Sequence, residues 1–219
     1  MQITVTGHAR ASFPPERATL RMRLGVEGTD KQAALEHTTS LVEQFSTMVD
    51  QLKDMTPSPT TWSAVAPIGT RSWRPWSAKG SVLPTRHAAE CTVQLKFRDF
   101  RALARFIDQW GGRTGVTVES VVWSLTDDHR KVEEEKVLAQ AVVQAHERAT
   151  TMARAAGEQA VRFLELADKG LLGDASDSGG PMAYATSLRS GAAPEGEGIT
   201  IAPEDVDLTA TVHARFTTD

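Results

Sequence analysis

Three stretches of this chain alternate apolar and polar residues over ten positions or more, and no other feature restricts its fold as strongly. Residues 18–27 read ATLRMRLGVE, with Ala18, Leu20, Met22, Leu24 and Val26 on one side and Thr19, Arg21, Arg23 and Glu27 on the other. Residues 87–97 set Ala89, Cys91, Val93, Leu95 and Phe97 against Thr92, Gln94 and Lys96. Residues 206–216 set Val206, Leu208, Ala210, Val212, Ala214 and Phe216 against Asp207, Thr209, Thr211, His213 and Arg215. Period two is the signature of a strand with one buried face, and a sheet built from such strands needs cover on that face alone.

The cover is legible as three amphipathic helices. Thr29 or Asp30 caps the first, which runs to about Leu52 with a stripe of Thr38, Leu41, Phe45, Met48 and Leu52. Asp99 caps the second, with Phe100, Leu103, Ile107 and Trp110 on one face and Gly111-Gly112 as its stop. The third spans residues 128–156 with Leu138, Val142, Ala145, Ala149, Met152 and Ala156 inward, ending at Gly157. Its stripe is mostly small, which suits close approach to a sheet.

Shorter strands fill the gaps. Ile3, Val5 and Gly7 open the chain, and Pro14-Pro15 suggest a turn joining that strand to residues 18–27 as a hairpin. A weak strand lies near Trp62–Ala66, and another covers Val116–Leu125. The apolar phase of the latter slips between Val118 and Val121, which predicts a bulge. A last short strand is expected at Val161–Ala167.

The predicted order is ββαββαβαββ, an α+β fold with a largely antiparallel sheet and helices packed on one face. The chain reads as a single domain over 1–219, divisible into lobes at about 1–86 and 87–219. Residues 170–203 are rich in Gly, Ser, Asp and Pro and too long for an ordinary connection, so they read as a flexible loop or arm.

Composition bears on function mainly by exclusion. A net charge of -4 argues against a nucleic-acid binder, which presents a basic footprint. No run of about 18 apolar residues occurs, so no membrane-spanning helix is expected. MQITVTGHARASF lacks the basic start and apolar run of a secretory signal, so the chain as written reads as cytoplasmic, or as exported if its N-terminus was processed.

Catalytic and metal motifs are weak throughout. Cys91 falls in the inward series of a strand and reads as an inert core thiol. HERAT at 146–150 starts like a zinc-protease helix, but Thr150 stands where the second histidine belongs. Asp174, Ser176, Ser178 and Gly179 imitate half a calcium loop whose twelfth position is Ala185. Glu133-Glu134-Glu135 lie near a helix start, where negative charge suits the dipole. No catalytic residue, metal or cofactor is predicted.

Residues 70–80, TRSWRPWSAKG, stand apart. Arg71, Trp73, Arg74, Trp76 and Lys79 combine the residue types most enriched at interface hot spots, and Pro75 restricts the backbone between the indoles. They are the candidate contact residues, with Arg21, Arg23, Lys96, His213 and Arg215 as a candidate polar sheet face. A contact between copies is the leading expectation. Small-molecule or single-stranded nucleic-acid binding by the same indoles is the alternative.

Taken in order, ITVTGHARASFPPERATLRMRLGV, the capped helix after it, AVVQAHERATTMARAAGEQA and DVDLTATVHARF resemble the SIMPL domain family, YggE-like proteins that include a periplasmic immunogenic protein. The resemblance implies an α+β fold able to form large ring-like homo-oligomers, a poorly defined role in envelope integrity or stress defence, and no agreed catalytic residues. As written, this chain shows no signal peptide where many relatives are exported, and it carries its two-tryptophan loop where relatives commonly have a tyrosine-containing hairpin.

Overall fold

In the computed structural model, residues 1–76, 78, 82–168, 171 and 202–218 are described. The elements are β1 (Gln2–Phe13), β2 (Arg17–Gly28), α1 (Lys31–Asp54), β3 (Thr60–Val65), β4 (Gly69–Trp73), β5 (Arg86–Phe97), α2 (Phe100–Gly111), β6 (Val116–Ser124), α3 (Asp127–Ala155), β7 (Arg162–Asp168) and β8 (Val206–Thr217). The architecture is α+β with antiparallel sheets, and it contains one strand more than expected, because Gly69–Trp73 pairs with β5. Nearly all of the arm expected at 170–203, and the calcium-loop imitation within it, lie outside the described residues.

The elements divide between two compact units. One holds β2 to β6 with α1 and α2. Its sheet runs β3-β5-β2-β6, with β4 following β3 along the same side of β5. The alternation seen in the sequence sends Ala18, Leu20, Met22 and Leu24 of β2, and Cys91, Val93, Leu95 and Phe97 of β5, into one core. The side chains of Asp30 and Asp99 accept hydrogen bonds from the first free amides of α1 and α2, as expected of caps.

Both helices pack their apolar stripes over that core. Phe45 of α1 meets Trp110 of α2 edge-on at 5.6 Å and 85°, while Phe106 stacks on Trp110 at 5.8 Å. Thr38 is fully buried, yet its hydroxyl lies 2.9 Å from the Ala34 carbonyl and 3.0 Å from that of Ala89, so α1 is tied to β5 without an orphaned polar group. The bulge foreseen in β6 falls where the β2 register shifts between Arg21 and Met22.

The other unit holds β1, β8 and β7 in that order, with α3 packed on β1 and β8. The proline turn does not make a hairpin. β1 pairs with β8 along its whole length, from Gln2↔Thr217 to Phe13↔Val206, whereas β2 belongs to the other sheet. Two prolines break a strand, but they do not require the chain to reverse onto itself.

The buried stripe of α3 is Val137, Ala141, Ala145, Ala149 and Ala153. Ala145 and Ala149 were expected there, whereas Leu138 and Met152 are exposed instead. The reason is β1. A Cβ added to Gly7 would lie 2.0 Å from the Ala141 carbonyl oxygen and 2.8 Å from the Ala145 Cβ, so the helix backbone rests almost on the strand. Only the smallest side chains fit that separation, and the larger ones rotate outward.

The β1–β8 pair is further joined on its outer side. The Ser12 hydroxyl and the Arg10 guanidinium both donate to the Asp207 carboxylate. Together, Ser12 first and Arg10 second, they hold that carboxyl below the usual aspartate range.

Three outcomes are expected. Gly7→Ala should destabilise the protein by about 1–3 kcal/mol, because the clash is with helix backbone that has no rotamer to change. Gly112→Ala, with nothing within 4 Å and φ of -86°, should stay within about 0.5 kcal/mol of wild type in the same urea titration. The lowered carboxyl of Asp207 contributes stability that is complete above the ordinary aspartate range and is lost as pH falls through the depressed folded value. Urea midpoints of wild type and Asp207→Asn should therefore differ at neutral pH and converge in acid.

Candidate contact face on the five-stranded sheet

Cross-strand partners share a face, so the ladder registers decide which side chains meet on the side of this sheet opposite α1 and α2. With Leu20, Met22 and Leu24 turned to the core, Thr19, Arg21 and Arg23 point away from it. One row across the sheet reads Val122, Thr19, Lys96 and Trp62. The next reads Ser120, Arg21, Gln94 and Ala64. Beyond Arg23 the rows continue through Glu27, Ala88 and Arg71, and then through Arg86 opposite Trp73.

Five residues singled out from the sequence therefore lie on one surface: Arg21, Arg23, Lys96, Arg71 and Trp73. His213 and Arg215 do not join them. Both are on β8 in the other unit, where Arg215 donates to Glu165 of β7 at 2.6 Å and His213 lies between Thr6 and Ala167.

Arg21, Arg23 and Arg86 of the face are engaged by carboxylates on neighbouring strands. Arg21 reaches Glu119 at 2.8 Å, Arg23 approaches both Glu119 at 3.6 Å and Glu90 at 4.0 Å, and Arg86 bonds Glu27 at 2.7 Å. Exposed pairs of this kind each contribute about 0–1 kcal/mol, so they set the charge pattern more than the stability. Glu119 is brought within reach of both arginines at the β6 bulge.

The tryptophans differ from each other. The Arg71 guanidinium lies 4.7 Å from the Trp73 ring centroid, and Trp73 is half-buried beneath it. Trp76 is 85% exposed. Arg74 points to the Thr85 hydroxyl at 3.5 Å, and Lys79 lies outside the described residues. Trp62, 47% exposed beside Lys96, joins the face without having been singled out. Its placement opposite Lys96 follows from a non-local register that the sequence does not display.

Chemically reactive groups are placed as follows. Cys91 is buried, burial pushes its thiol up, and the thiol donates to the Ala66 carbonyl at 3.0 Å. Such a thiol stays protonated and is a poor nucleophile. His146 stacks on Phe163 at 5.7 Å and meets Phe216 edge-on at the same distance, so it serves packing. Glu133 is held by Lys136 at 2.7 Å. Among the described residues, no cluster of His, Cys, Asp and Glu is disposed to hold a metal ion, and no helix is long and apolar enough to cross a membrane. A groove of about 570 Å³ between α1 and α2 is lined by Met48, Leu52, Met55, Pro59 and Phe106 with Arg105 at its rim.

No curated protein matches the chain. The model of one family, SIMPL, described as a protein of unknown function (DUF541), matches residues 3–216. That span begins within β1 and ends within β8, and so takes in both sheets and all three helices. The chain belongs to the SIMPL family.

Proposed function

We propose that this SIMPL-family protein acts by self-association rather than catalysis, through the outer face of the five-stranded sheet and the tryptophan segment that follows β4. The observation that carries this reading is half-exposed Trp62 on a surface rich in arginine, with strongly exposed Trp76 three residues beyond the end of β4. Tryptophan and arginine are the residue types that most often dominate binding energy at protein interfaces. The face also presents both charge signs side by side, Arg21 and Arg23 beside Glu119 and Glu90, a pattern that a second copy can complement about a two-fold axis.

The same pairs weigh against nucleic acid. Phosphate binding draws on uncompensated positive charge, and these arginines are already matched by glutamates in a chain of net charge -4. Arg71 covers one side of Trp73, which reduces the indole surface available for stacking a base. A role in stress defence or envelope integrity, implied by the resemblance, is the setting this proposal assigns to the assembly.

Light scattering on a size-exclusion column tests the reading. Wild type should run as a multiple of the 23.7 kDa chain. Trp73→Ala with Trp76→Ala should shift it toward the monomer, since truncating a hot-spot tryptophan costs about 2 kcal/mol or more of association. A wild type that runs as a monomer would remove self-association from consideration.

A further inference from the structure

The groove between α1 and α2 is built for an apolar occupant. Met48 and Leu52 of α1, with Met55 just past its end, form one wall at helical spacing, and Ala102 and Phe106 of α2 face them. Phe106 is 3% exposed and rests on Phe45 at 6.2 Å, so the groove lies directly over packed core. Met55, by contrast, is 52% exposed. The volume of about 570 Å³ falls in the range of small-molecule sites, roughly 300–1,000 Å³.

Three charged side chains edge the groove, and two of them are engaged. Asp99 accepts hydrogen bonds from the amides of Arg101 and Ala102, and Asp108 has a partner of its own. Arg105 is exposed and has neither an ion pair nor a side-chain hydrogen bond among the described residues. Arg21, Arg23, Arg86, Arg130 and Arg215 each have a carboxylate partner. The groove therefore offers an apolar floor beside one uncompensated positive charge.

We propose that this groove binds a long-chain carboxylate, its alkyl chain laid between α1 and α2 and its head group on the Arg105 guanidinium. A planar guanidinium matches a carboxylate with two parallel hydrogen bonds. The walls suit an alkyl chain because they give a polar ligand little to bond. Helix amides are spent within α1 and α2, and Pro57 and Pro59, which also line the groove, carry no N–H. Methionine side chains are flexible and polarizable, so Met48 and Met55 can close around a chain of variable length. Binding there does not depend on self-association, because the groove lies on the helical side of its sheet, opposite the proposed contact face.

Titration calorimetry of the full chain with octanoate, decanoate and dodecanoate, each below its micelle concentration, tests the site. One carboxylate should bind per chain, with affinity rising about three- to fourfold per added methylene until the groove is filled. Arg105→Gln should weaken dodecanoate about tenfold and leave dodecyltrimethylammonium unaffected, since only the anion draws on the guanidinium. Met55→Asp, at a half-exposed position that leaves the core intact, should weaken dodecanoate as well. A lack of saturable binding would overturn the proposal. So would dodecanoate affinity unchanged in both variants, which would mark adsorption elsewhere, or loss of the circular dichroism spectrum during titration, which would mark unfolding by the soap. Dodecyltrimethylammonium binding as tightly as dodecanoate to wild type would remove Arg105 as the anion-binding group and overturn it likewise.

Discussion

The ladder between β2 and β5 is the constraint on which the rest of the larger sheet depends. It runs unbroken from Ala18↔Phe97 to Gly28↔His87, and it fixes in one step which side chains enter the core and which face solvent. A slip of one residue would turn Leu20, Met22, Val93 and Leu95 outward and bring Arg21, Arg23 and Lys96 under the helices. The buried cluster of Phe45, Phe106 and Trp110 makes that alternative prohibitive, because charged groups would replace its apolar floor. The arrangement of arginines on the outer face is thus a by-product of how well the inner face packs.

Much of this could be read directly from residue order. The alternation at residues 18–27, 87–97 and 206–216 became three full strands, Asp30 and Asp99 cap their helices, and the phase slip in β6 marks a real bulge. These are local signals, each decided by neighbours a few residues away. What the sequence left open is non-local. Period two identifies a strand without naming its partner, so β1 looked like one arm of a hairpin when its ladder lies with β8.

The rotation of α3 has a similar origin. Apolar spacing favours Leu138 and Met152 as anchors, yet the helix turns its alanines inward because Gly7 permits backbone contact. A glycine within an alternating strand was the available signal, since it often marks close approach by another backbone. Of the candidate contact residues, Arg21, Arg23, Arg71, Trp73 and Lys96 came together because β2, β4 and β5 are neighbours. His213 and Arg215 share their polarity and period but not their sheet.

The partnership of β1 with β8 also affects the order in which the molecule can be made. His8 and Thr211, hydrogen-bonded across that ladder at 3.1 Å, are 203 positions apart, whereas β2 to β6 lie between Arg17 and Ser124. On a ribosome adding about 5–20 residues per second, β1 emerges before β8 and waits roughly ten to forty seconds for it. The larger sheet can close during that interval. β1 is therefore made before the other described strands yet is among the last of them to be satisfied, and its alternating side chains stay open to chaperones, or to a neighbouring nascent chain, until β8 follows.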